Sequence, residues 1–378
     1  MRSIYCISLF LYFFISEVPP KIRGTNMHKT RVAQDNAIFL QGLLPVPQQV
    51  KITASTFQVD RDWVLQNGNA VNEKDPAVLC LVETWQQQFK QKLPVQSGEN
   101  ANSSGSIALV VQPGSVAIGK TTDTNRIALA RQAYSITLTK NKITITANAS
   151  PGLYYGVQTL LQLLKKQNGN FIFPEGEIVD WPDMNLRMIY WDDAHHLEWL
   201  DVLKREIKQA SYFKINAFAL KLEGHFQFDH AKPIVEPHAL SPQEYQELTD
   251  YALAHYVQLV PWLDGPAHVS FILKHPEFAG LRSFPNSNYE MNVADPKTDS
   301  LLLGMFDDLI NANKGVEYIV LSNDNNMSQV SHTSTSSDFV CTLPEPLIIP
   351  RDSYSVGLIS LQYTREEPKK GHHQTPKT

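Results

Sequence analysis

Gly315-Val-Glu-Tyr-Ile-Val-Leu-Ser-Asn-Asp-Asn325 is the stretch on which the fold turns. Tyr318-Ile-Val-Leu321 is a short, unbroken apolar run with β-branched residues, the composition of a strand buried on both faces of a parallel sheet. The run stops abruptly at Ser322, Asn323, Asp324, Asn325 and Asn326. Polar groups at the carboxyl end of such a strand are where α/β proteins keep their chemistry. Asp324 is therefore a candidate catalytic carboxylate. Its neighbour Asn325 is an amide and cannot give up a proton as a carboxylic acid would.

Upstream of this stretch the same rhythm repeats. Leu186 to Trp191, Ile215 to Leu222 and Val257 to Leu263 read as buried strands. They alternate with helices over Leu197 to Phe213, about Ser241 to Tyr256 and Thr298 to Asn313. Ser241-Pro-Gln-Glu244 is a capping box with proline at the first helical position, and Lys314-Gly315 supplies a C-terminal stop. Strands alternating with helices imply the α/β class, either a TIM-type barrel or an open doubly wound sheet.

Residues 43–180 differ. Short alternating strands are expected at Val50 to Thr53, Thr56 to Val59, Ile107 to Val111, Tyr134 to Thr139 and Ile143 to Ala147. Two helices join them, Ala77 to Lys92 and one starting at Ser150-Pro151, with Ser150 expected as its cap. Gly152 and Gly156 on the second helix would permit close packing on the sheet. This part reads as a smaller α+β domain with few candidate catalytic groups.

Each strand of the later region ends in reactive side chains. The first runs into Tyr190-Trp-Asp-Asp-Ala-His-His196, the second into Glu223-Gly-His225, the third into Trp262-Leu-Asp-Gly-Pro-Ala-His268 and the fourth into Asp324. A lone Asp there is more often a cap or loop hydrogen bond, but four consecutive endings are hard to explain as capping. Carboxylates mixed with Trp and His on one rim suit sugars, whose apolar faces stack on rings while carboxylates hold hydroxyls. Trp191 and Trp262 are expected in the pocket, Trp85 and Trp199 in the core. Metal-protease spacing, a dinucleotide fingerprint and a serine elbow are all missing, so neither metal nor nucleotide cofactor is expected.

Composition fits a globular protein, with 43% hydrophobic and 19% charged residues over 378. A net charge of −5 and scattered basic residues argue against nucleic acid and anionic membrane as partners. Ile4 to Ile15 is apolar apart from Ser8, too short to span a bilayer and suited to the core of a secretory signal. Residues 1–26 are thus a signal-like segment implying export; the alternative is an upstream extension with Met27 as the start. Cys6, Cys80 and Cys341 make no disulfide framework, and Asn102, Asn148 and Asn326 lie in glycosylation sequons.

The pattern resembles glycoside hydrolase family 20, the β-N-acetylhexosaminidases. Ile143-Thr-Ile-Thr-Ala147 with Gly152 to Leu163 is similar to the end of that family's first domain. Lys214-Ile-Asn-Ala-Phe218, Val260 to His268 and Leu321-Ser-Asn-Asp-Asn325 are similar to its second, third and fourth barrel strands. The resemblance implies substrate-assisted hydrolysis, in which the sugar's acetamido carbonyl attacks the anomeric carbon. It implies that Asp324 orients the acetamido N–H and that Asn325 stands where an adjacent Glu would protonate the leaving oxygen. It also places Asp192, His195, His196, Glu223, Trp262, Asp264 and His268 at the substrate, with His195 replacing an Arg and Asp264 partnering His268. The implied partners are N-acetylhexosamine-containing glycans.

A full barrel takes about 250 residues, so residues 185–327 are read as its first half. Residues 328–378, rich in Ser, Thr and Pro, are read as an irregular tail with one further strand at most, over Tyr354 to Tyr363. An open half-barrel would expose strand edges and favour self-association.

Overall fold

The computed structural model describes residues 38–68, 70–96, 103–322 and 347–350. In the first domain, chain order is β1 (Gln49–Val59), β2 (Val64–Asn67), α1 (Pro76–Phe89), β3 (Val95–Gln96), β4 (Ser106–Val111) and α2 (Arg126–Arg131). There follow β5 (Tyr134–Thr139), β6 (Lys142–Ala147), α3 (Ser150–Leu163), β7 (Lys165–Gln167) and β8 (Asn170–Asp180). The strands form one mixed sheet ordered β1-β8-β5-β6-β4-β2-β3, with β7 paired to β8.

The two strands expected at 50–53 and 56–59 are one strand, β1, whose register against β8 shifts between Ile52 and Thr56. Opposite that irregularity Gly176 sits at φ +147, where a Cβ would meet the Lys51 carbonyl oxygen at 2.2 Å. Only glycine lets the two backbones come that close. α3 begins one residue earlier than expected: its cap is Ala149, which makes no side-chain cap bond, and Ser150 is already helical. Close packing is what Gly152 and Gly156 provide, since a Cβ on Gly152 would meet the Ala133 oxygen at 2.5 Å and one on Gly156 the Ile145 side chain at 2.6 Å. The Asn148 amide is engaged with Val116 and Ala130.

The second region runs β9 (Met188–Asp192), α4 (Leu200–Tyr212), β10 (Ala217–Lys221), α5 (Pro242–Leu253), β11 (Gln258–Asp264), α6 (Ser270–Leu273), α7 (Pro296–Asn311), β12 (Tyr318–Ser322) and β13 (Leu347–Pro350). The Ser241–Glu244 capping box closes as expected, with both reciprocal hydrogen bonds present. β9, β10, β11 and β12 are parallel neighbours in that order. One face, carrying Ile189, Phe218, Leu220, Leu259, Leu263 and Ile319, packs into the helices. The other carries small or branched residues, Ala217, Ala219, Val260 and Val320.

β13 corrects the reading of the tail. Leu347 to Pro350 pairs antiparallel with β12, so the apolar, β-branched run before Pro350 forms a strand within the stretch expected to be irregular. Proline is compatible with an edge strand. The outer edge of β12 is therefore occupied, and β13 and β9 are the two edge strands of this sheet among the described residues. Residues 354–363 lie outside the described residues.

The two regions meet across a polar seam. Lys214 Nζ lies 2.9 Å from Asp180 Oδ2 and donates to the Tyr134 hydroxyl at 2.7 Å, and that hydroxyl donates to Asp180 at 2.6 Å. Gln162 donates to the Tyr212 carbonyl, and the Tyr154 and Ser211 hydroxyls meet at 3.1 Å.

Candidate active site at the strand ends

Parallel register decides which side chains share the rim. Asp192, Lys221 and Trp262 stand side by side on three adjacent strands, and Asp264 stands opposite Ser322. All four project on the small-residue face, because alternate residues of a strand point the same way.

Lys221 is the centre of this group. Its Nζ lies 2.6 Å from Asp264 Oδ2 and 3.0 Å from Glu223 Oε1, and the Lys221 and Asp264 side chains are each only 5% exposed. Burial works against the ammonium charge, but the two carboxylates outweigh it and hold the Lys221 pKa above its ordinary value. The other Asp264 oxygen accepts from the Trp262 indole N–H at 3.0 Å. Trp262 in turn meets the half-exposed Tyr190 ring, centroids 4.7 Å apart. Burial, together with Asp192 and Asp264, pushes the Tyr190 hydroxyl up to about 12 despite Lys221.

At the end of β9, His195 Nδ1 is 2.8 Å from Asp192 Oδ2. Burial raises the Asp192 pKa, but His195 and Lys221 more than compensate, so it stays below the ordinary carboxylate value. Asp193 is fully buried; its Oδ1 accepts from the Glu198 N–H, and its carbonyl accepts from His225 Nδ1 at 2.6 Å. Burial pushes Asp193 up to about 6. Glu223 and His268 both hold φ in the left-handed region, +45° and +60°. Non-glycine residues there carry strain of about 1–3 kcal/mol, a cost often met at functional sites.

The rim differs from expectation at several positions. Asp264 is partnered by Lys221 and Trp262, while His268 is exposed and sets its ring against Tyr289 at 5.9 Å. Trp191 stacks on Phe218 on the helix-facing side, so Tyr190 replaces it as the rim aromatic. His196 is exposed. Trp199, expected in the core, is 60% exposed. Asp324 and Asn325 lie outside the described residues; β12 ends at Ser322, beside Asp264.

Lys221, missed from sequence, had a usable signal: it is the polar end of an otherwise apolar strand, flanked by acidic residues on the neighbouring strand end and the following turn. The assembled group is rich in acceptors, with Asp192, Glu223 and Asp264 set against one ammonium, beside two aromatic faces. It can accept hydrogen bonds from hydroxyl and amide N–H groups while a ring stacks alongside. Among the described residues no set of three or more His, Cys, Asp or Glu is placed to hold a metal, and no helix is long and apolar enough to cross a membrane. Cavities of about 340 and 310 Å³ lie elsewhere: the first between α1, α3 and α4, the second beside Lys214 and Asp180. The chemistry at the strand ends outweighs their size as a pointer to function.

Residues 40–181 match the family model for glycosyl hydrolase family 20, domain 2. The second region continues into folds of the same kind: the chain superposes on the Streptomyces coelicolor family 20 β-N-acetylhexosaminidase with a TM-score of 0.60 and 22% identity, covering 74% of this chain and 59% of that one. Residues 40–181 thus carry a family 20 domain 2, and the chain beyond them is similar in fold to family 20 proteins. The Flavobacterium johnsoniae chitobiase gives a TM-score of 0.59 at 23% identity over 78% of this chain and 45% of that one. At these identities the likeness speaks for the fold alone. In sequence it is 26% identical over 183 residues to a β-hexosaminidase of Porphyromonas gingivalis, covering 47% of this chain and 22% of that protein. It is 30% identical over 147 residues to the chitooligosaccharidolytic β-N-acetylglucosaminidase of Bombyx mori, covering 24% of that protein. The chain thus spans about a quarter or less of these curated relatives.

Proposed function

We propose that the strand-end rim binds a terminal β-linked N-acetylhexosamine, and that the chain derives from a substrate-assisted β-N-acetylhexosaminidase whose proton donor is lost. The observation that carries this reading is the Tyr190–Trp262 aromatic pair beside Asp264, itself held by Lys221, on the rim of a chain that carries a family 20 domain 2. In this reading the rings stack on the sugar, Asp192, Glu223 and Asp264 take its hydroxyls, and Asp324 orients the acetamido N–H so that its carbonyl attacks the anomeric carbon. His195, His196 and His268 flank the same sugar. In this reading β9 to β12 are the opening strands of a TIM-type barrel.

Asn325 decides between an impaired enzyme and a binding protein. An amide cannot protonate the leaving oxygen, and general acid help is typically worth about 10²–10⁴ in rate. A catalytically inactive, carbohydrate-binding chain is therefore the second reading. Hydrolysis of a chromogenic N-acetylglucosaminide by the parent and by Asn325→Glu separates them. Faint turnover that rises in Asn325→Glu supports the impaired hydrolase. Binding of an oxazoline-like inhibitor without turnover in either supports the inactive form, and full turnover by the parent overturns both. Export through residues 1–26 and self-association through an open barrel edge belong to the same proposal; a monodisperse monomer in light scattering counts against the latter.

A further inference from the structure

The Trp199 indole is 60% exposed at the start of α4, in a position that helical spacing assigns to the core. A single exposed apolar side chain needs no explanation by itself. The placement of this one does. α4 follows β9, so its first turn lies on the face where the strand ends carry Asp192, Lys221, Trp262 and Asp264. The Trp199 backbone is fixed, its carbonyl accepting from Val202 and Leu203. Its ring is held edge-on by His238, with centroids 5.5 Å apart.

His238 comes from a second loop on the same face, between β10 and α5, and holds φ at +65°. The two loops are tied together. His225 Nδ1 donates to the Asp193 carbonyl at 2.6 Å, and the Glu236 N–H donates to the Gly224 carbonyl at 2.9 Å. The Glu236 carboxylate is held between His225 Nε2 at 3.4 Å and Lys274 Nζ at 3.3 Å. A covalent and hydrogen-bonded path therefore runs from Lys221 to Asp193, from Asp193 to Glu198, and on to Trp199. The result repeats one element of the strand-end rim, an aromatic face steadied by a neighbouring ring.

We propose that Trp199 and His238 form a second saccharide platform, outside the strand-end rim, that stacks a further pyranose ring of a longer β-linked glycan. The proposal rests on the sugar-binding reading of the rim and extends it from a terminal residue to a chain. Trp supplies a broad flat face at low cost in conformational freedom, and the edge-on His238 ring leaves that face open for stacking. Because Trp199 lies outside the core, removing its ring leaves the fold intact, so its variant isolates binding.

Titration calorimetry of the whole chain with N-acetylglucosamine and with its β-1,4-linked tetramer tests this. The tetramer should bind more tightly than the monosaccharide. Trp199→Ala should weaken the tetramer roughly three- to tenfold with the monosaccharide unchanged. His238→Ala should weaken the tetramer less, and Trp262→Ala should weaken both ligands. Equal tetramer affinities in parent and Trp199→Ala overturn the platform, as does an equal loss for both ligands. Tetramer binding that depends on Trp199 but not on Trp262 leaves the platform standing and removes the strand-end reading.

Discussion

Lys214, just before β10, and Lys221, its last residue, lie seven positions apart, both almost fully buried, and their charges are treated in opposite ways. At the seam, burial lowers the Lys214 pKa; Asp180 alone pulls it back, and Arg187 adds a like charge. At the rim, two carboxylates lift Lys221 above its ordinary value. The seam is a near-balanced clamp between the domains, with Tyr134 and Thr159 completing its hydrogen bonds. The rim carries an excess of acceptors that the fold itself does not use up. A structural polar network satisfies itself, whereas a binding site keeps capacity for another molecule.

The sharpest way to break this comparison is at the seam. Asp180→Ala leaves the buried Lys214 ammonium without its carboxylate and is expected to cost about 3–5 kcal/mol in urea denaturation. Asp264→Asn should cost clearly less in the same assay, because Glu223 still pairs Lys221, while it lowers affinity for N-acetylglucosamine. Equal losses of stability would erase the distinction.

Packing gives the next effect. Gly152→Ala drives a Cβ to within 2.5 Å of the Ala133 oxygen and should cost about 1–3 kcal/mol, read as a lowered thermal midpoint.

Asp193 sharpens the comparison through pH. Its folded pKa, about 6, lies above the ordinary carboxylate value of 3.8, so the folded chain binds the extra proton between them. The folded state is thus favoured below that window and loses stability as pH rises through about 6. Asp193→Asn should raise stability by about 2 kcal/mol at pH 8 and change little at pH 3.5. Urea midpoints across that range measure it; a pH-independent effect would refute the assignment.

The smallest effect is expected at the solvent side of the seam. Glu83 and Lys208 pair at 2.7 Å but remain 50% and 38% exposed, so Glu83→Gln should cost under about 1 kcal/mol.

Much of this arrangement is legible in the sequence. The buried parallel strands announce themselves as apolar runs with polar ends, and the Ser241 capping box marks α5 unambiguously. β8 is harder to see, since Pro174-Glu-Gly176 breaks Asn170–Asp180 and reads as a turn; pairing with β1 and β5 overrides that local signal. Trp199 misleads because helical spacing is extended one residue past the helix start. Trp191 misleads because adjacent strand residues point to opposite faces, so a one-residue choice between it and Tyr190 exchanges core for rim. Asp264 reads from sequence as a rim residue, but its partner is set by register with β10, which no local pattern encodes.

The seam carries a practical corollary for anyone wishing to borrow the family 20 domain 2 portion as a stand-alone module. Cutting the chain after Trp181 would strip Asp180 and Tyr134 of their lysine, leave Gln162 without the Tyr212 carbonyl, and bare the Tyr154 hydroxyl. A usable excised module would need those four positions redesigned together, as apolar plugs or as a new internally closed set.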